Sequence, residues 1–99
     1  MNAHFATRHL HPNGAWRAQT QLYNTSSDVS CTAAQMPRAV GLAYASVLYR
    51  NIKELQTLKD FSIHGNEVTF ATIGNASTAE GHFWEAVNAI GVLKAPAVI

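Results

Sequence analysis

The sequence predicts an α+β fold: a four-stranded antiparallel sheet with two helices packed on one face, in the order ββαββα. Three observations predict it. An alternating stretch is broken by Pro12-Asn13-Gly14, a second is broken by Gly65-Asn66, and each is followed by apolar residues at three-and-four spacing. The chain has 99 residues, 47% of them apolar. That is enough to bury one core and too little for two, so residues 1–99 read as a single domain.

The first hairpin spans 4–23. Proline presets the first turn residue, asparagine tolerates the second, and glycine accepts the left-handed position. Loop length decides which side chains share a face. A three-residue Pro12-Asn13-Gly14 loop sets Leu10 opposite Trp16 and gives an inner face of Ala6, Leu10, Trp16, Ala18 and Leu22. A two-residue loop would put His9 and His11 on that face, so the three-residue register is preferred. Residues 24–31 are polar and read as a loop.

Pro37 fits the first turn of a helix. From Val40, apolar residues recur at Tyr44, Val47, Leu48, Ile52, Leu55 and Leu58, which predicts one helix over 37–58. The second hairpin is 61–73, where a two-residue Gly65-Asn66 loop pairs Ile63 with Val68 and Phe61 with Phe70. Ser77 and Glu80 have capping-box spacing. Phe83, Trp84, Val87 and Ile90 then form a stripe, so a second helix is expected over 78–91, stopping at Gly91. The tail 92–99 is apolar apart from Lys94 and should dock on something. Trp16, Leu22, Val47, Leu48, Ile52, Leu55, Phe61, Ile63, Val68, Phe70, Phe83, Val87 and Ile90 form the expected core.

The formal charge is +1, and charged residues are 13% of the chain, about half the usual share. Arg8, Arg17, Arg38 and Arg50 face only Asp28 in the first half, while the second half has more carboxylates than lysines. Such a balance exerts little long-range pull on nucleic acid or anionic lipid. No apolar run is long enough for a membrane span, and no secretory signal is visible. A single cysteine suits a reducing compartment, so a cytoplasmic location is expected.

Five histidines raise the question of metal. His9-x-His11 projects two imidazoles from one side of a strand, and His64 could join them. Zinc needs three or four ligands, and no HExxH, CxxC or EF-hand spacing occurs, so exposed strand histidines are the simpler reading. Cys31 has no neighbouring feature that marks it as an activated nucleophile. Glu80 and Glu85 lie five apart and share a helix face poorly. No GxSxG, GxGxxG or phosphate loop is present. No catalytic residue, metal or cofactor is therefore assigned, and the chain reads as non-enzymatic.

What the predicted fold leaves open is the uncovered sheet face, with Phe5, His9, His11, Arg17, Gln19 and Tyr23. Tyr49 and Arg50 lie off the main helix stripe. Aromatics and arginine are the residue types that dominate protein interfaces. These eight residues are the expected partner-binding set, and another protein or protein complex is the expected partner. The reading is a small protein that acts by occupying a macromolecular surface. A phage- or mobile-element-type inhibitor of a host defence complex, or an immunity-type protein, fits that profile, with self-association through edge strands or the tail as one version. The alternative is RNA or single-stranded nucleic-acid binding through the same face, against which the near-neutral charge counts. A small metal- or thiol-dependent enzyme stands third.

Overall fold

The computed structural model describes residues 9–21, 24–26 and 29–99. Among these residues are two helices, α1 (Gln35–Asn51) and α2 (Gly81–Leu93), and two short strands, β1 (Thr69–Phe70) and β2 (Ala97–Val98). Turns of 3-10 helix occupy Gln19–Gln21, Lys53–Thr57 and Asn75–Ala79. The strands pair in parallel, Thr69 with Ala97 and Phe70 with Val98. The Thr69 N–H donates to the Pro96 carbonyl (3.0 Å), and the Ala71 N–H to that of Val98 (2.9 Å). A parallel pair needs a crossover, and α2 supplies it. The apolar tail is therefore the second strand of this β1–α2–β2 unit.

This corrects the four-stranded antiparallel sheet. The reason lies at the second predicted hairpin. His64 and Gly65 do turn the chain, both with positive φ (55° and 70°). The arm before them coils instead of extending: the Leu58 N–H donates to Leu55 and the Phe61 N–H to Leu58. The Ile63 N–H is taken by the Glu67 carboxylate at 2.6 Å, so it cannot enter a ladder. Strand β1 pairs with the tail, and the Phe61–Phe70 and Ile63–Val68 pairs do not form.

The N-terminal turn is closed by an antiparallel bridge between Leu10 and Trp16. It does not join a sheet. The Gln19 N–H donates to the Asp60 carbonyl, and the Trp16 ring meets Phe61 edge-on at 5.6 Å. The segment thus rests on the 58–61 turn. Phe5, Tyr23, Ala6 and Leu22 lie outside the described residues.

Helix α1 starts before Pro37 and ends earlier than its apolar periodicity predicts. Ile52 is extended, its N–H closing on the Leu48 carbonyl, and Gln56 Nε2 caps the Arg50 carbonyl. These bonds satisfy carbonyls that the helix end leaves unpaired. Beyond them the chain tightens to 3-10 geometry. Helix α2 likewise departs from the capping box. Its N-cap is Glu80, with no side-chain cap bond, and Ser77 accepts the Glu80 N–H through its main-chain carbonyl. The helix passes Gly91 and stops at Lys94, whose left-handed conformation (φ 49°) turns the chain toward β2.

The helices pack against each other and against the strands. The core is Met36, Ala39, Ala71, Phe83 and Ala86, flanked by Val40, Ile73 and Val87. Met36, Ala39, Ala43 and Ser46 are the buried positions of α1. Its slim face, not its bulky one, meets the rest of the chain, because alanines let backbones approach. Several members of the expected core are exposed instead: Trp16, Ile52, Phe61, Ile63, Val68 and Phe70, the last at 72%. Among the described residues, no helix is long and apolar enough to cross a membrane.

Candidate functional site

In open parallel α/β arrangements, ligands are met in the crevice outside the carboxyl ends of the strands. Here that end is the connection from Ala71 to Glu80. Gly74 is extended, and Asn75 begins a 3-10 turn that delivers the chain to α2. Asn75 and Glu80 are exposed, and Ser77 and Thr78 half-buried. The turn holds itself together. The Ala76 N–H donates to Asn75 Oδ1 (2.9 Å), and the Thr78 hydroxyl to the Asn75 carbonyl (2.6 Å). The Ser77 N–H donates to the Gly74 carbonyl. Asn75, Ser77, Thr78 and Glu80 thus lie along the connection that follows β1 and leads into α2.

The start of α1 and the residues just before it are tied to this region by two bonds. Gln35 Nε2 donates to the Thr72 carbonyl (3.1 Å), and His82 Nε2 lies 2.8 Å from the Thr32 carbonyl. A carbonyl only accepts, so Nε2 carries the proton in that contact. Between the two bonded positions sits Ala33, buried, with φ 61°. Left-handed backbone costs a residue with a Cβ about 1–2 kcal/mol, and such strain clusters at functional sites. Two cross-links thus hold a strained turn against the strand end. Among the described residues, no three His, Cys, Asp or Glu side chains gather to hold a metal ion.

The residues singled out from the sequence lie elsewhere. His9, His11, Arg17 and Gln19 belong to the N-terminal turn, where Arg17 Nε donates to the Leu10 carbonyl (2.9 Å) and Gln19 Nε2 to that of Arg17 (2.7 Å). Tyr49 is half-buried on α1. Arg50 Nη2 donates to the Gly65 carbonyl at 2.7 Å. Among the described residues the sheet is the two-stranded β1–β2 pair, and these residues are not on it. The residues around the strand end, Thr32, Gln35, Asn75 and His82, were not in the expected partner-binding set, for a physical reason. Asn75-Ala76-Ser77-Thr78 has the composition of a turn before a helix, and only the parallel pairing makes that turn a strand's carboxyl end.

Comparison with known proteins adds one positive finding. A family model described as "Dehydrogenase E1 component" matches residues 6–99. No curated protein matches the chain, and no solved structure does. The match overturns the expectation of a non-enzymatic, inhibitor-like or immunity-type protein of phage or mobile-element kind, since the family is that of an enzyme component. Absence of a familiar catalytic motif misled that reading, because an enzyme component can draw its site from main-chain geometry and from scattered polar side chains.

Proposed function

The chain belongs to the dehydrogenase E1 component family, and we propose that it works as part of such a component, contributing the crevice at the carboxyl end of β1 to the site where reactants are bound and oriented. The observation that carries this is the β1–α2–β2 unit itself: a parallel crossover whose connection after β1 carries Asn75, Ser77, Thr78 and Glu80, with Gln35 bonded to Thr72 and His82 to Thr32. The chain's part in the chemistry is to bind and orient through hydrogen bonds, in a geometry fixed before the reactant arrives.

Exposed apolar surface supports membership of a larger body. Parallel strands are ordinarily covered on both faces, yet Phe70 and Val98, the second residues of the two strands, are exposed. Trp84 and Val92 on α2 are exposed as well. In the assembled component these surfaces are covered by other polypeptide.

The test is to recover the tagged chain with what it assembles with and to assay dehydrogenase turnover. Turnover is expected, and Asn75→Ala should lower it on the order of tenfold or more. An Asn75→Ala assembly as active as the wild type would remove the crevice from the site.

A further inference from the structure

We propose that His82 is a positioning residue for this crevice: its Nε2–H holds the Thr32 carbonyl, and thereby keeps the left-handed Ala33 seated against the first turn of α2. The inference rests on the reading of the crevice as part of the dehydrogenase site. Three observations carry it. The contact spans fifty positions of sequence at 2.8 Å, so it ties two segments together and is not a local helix bond. Its acceptor immediately precedes a non-glycine residue with φ 61° that is almost wholly buried. The second tie, from Gln35 Nε2 to the Thr72 carbonyl, lies on the other side of the same residue. A turn that is unfavourable by itself is thus pinned at both flanks to the connection that lines the crevice.

Loss of the Nε2–H donor opens the latch, and Ala33 is then free to relax out of the left-handed region. The turn bonds that would loosen first are those of the Ala34 N–H to the Cys31 carbonyl and of the Met36 N–H to that of Ala33.

The experiment uses the full chain in its assembled component and compares His82→Phe, His82→Gln and the double variant Ala33→Gly/His82→Phe with wild type. Phenylalanine keeps the ring and removes the donor. Glutamine places an N–H at a similar reach. Glycine adopts positive φ without the steric cost. We expect His82→Phe to speed hydrogen exchange at the Ala34 and Met36 amides and to lower kcat about tenfold with KM nearly unchanged. Glutamine should restore both quantities. Ala33→Gly in the phenylalanine background should recover most of the lost kcat, because the turn then no longer needs holding. Unchanged exchange in His82→Phe overturns the proposal, as does a kcat loss that neither glutamine nor Ala33→Gly recovers. If the wild-type assembly shows no turnover, it is the dehydrogenase reading that fails, and the exchange comparison still decides whether the latch exists.

Discussion

Arg50 and Gly65 are bound face to face: Arg50 Nη2 donates to the Gly65 carbonyl at 2.7 Å, and the Gly65 backbone lies directly on α1. A Cβ on Gly65 would stand 2.2 Å from the Ser46 carbonyl oxygen and 2.8 Å from the Arg50 nitrogen. Both are helix backbone atoms and cannot step aside. The turn at 62–67 is clamped from within as well. The Ser62 hydroxyl donates to Glu67 Oε2 (2.7 Å) and accepts from the Gly65 N–H (2.8 Å). The clamp sits just ahead of β1 and so sets where the strand, and the crevice at its end, fall relative to α1.

Gly65→Ala meets both a backbone clash and a positive φ of 70°. We expect a loss of about 2–4 kcal/mol in denaturant unfolding. Gly41, which has no positive φ, is the control. A Cβ there meets nothing within 4 Å, so Gly41→Ala inside α1 should be neutral to stabilising by about 0.5–1 kcal/mol. Equal effects at the two positions would show that the turn does not lie on the helix.

The Glu67 carboxyl makes this clamp sensitive to acid. Burial works to raise its pKa, but the Ser62 hydroxyl and the Ile63 N–H bond to the ionised form and bring it below the ordinary carboxylate range, with His64 adding a smaller attraction. A group whose folded pKa is depressed contributes stability above its unfolded pKa and loses it as pH falls through the folded value. Unfolding measured from neutral pH downward should show this contribution constant to about pH 5, then declining below the usual glutamate value of about 4.3. Glu67→Gln should flatten that acid limb. An unaltered limb in the variant would mean that the carboxylate is not held as described.

Core and surface apolar residues should separate in mutagenesis. Phe83 is buried in the cluster with Met36 and the alanines, so Phe83→Ala should cost about 3–5 kcal/mol. Phe70 is largely exposed, and Phe70→Ser should leave the fold of the chain within about 1 kcal/mol. Its effect should appear in recovery of the assembled component, which ought to fall. A destabilisation by Phe70→Ser as large as that of Phe83→Ala would place Phe70 in the chain's own core.

The sequence was a good guide wherever the determinant was local. The apolar periodicity from Val40 marked a helix where α1 runs, and the stripe from Phe83 to Ile90 marked α2. Pro12-Asn13-Gly14 turns the chain with Gly14 at φ 82°, and Leu10 faces Trp16. Gly65 turns it again. It was a poor guide to what each turn connects. Ile63 and Val68 alternate as a hairpin arm would, but the Ile63 N–H is captured by a side chain four residues on. Likewise Val40, Tyr44 and Val47 form the more apolar stripe, but the buried positions of α1 are Met36, Ala39, Ala43 and Ser46, with Val40 at their edge.

What the sequence by itself determined was the two helical segments and the places where the chain reverses, both of which rest on neighbouring residues. Only the tertiary structure decided that Thr69–Phe70 pairs in parallel with the tail, that α1 buries its alanine face, and that Thr32 meets His82. The physical reason is that main-chain pairing partners are chosen by competition among distant N–H and carbonyl groups. That competition is settled by which segments pack closely enough to meet, and alternation along a single strand carries no record of it.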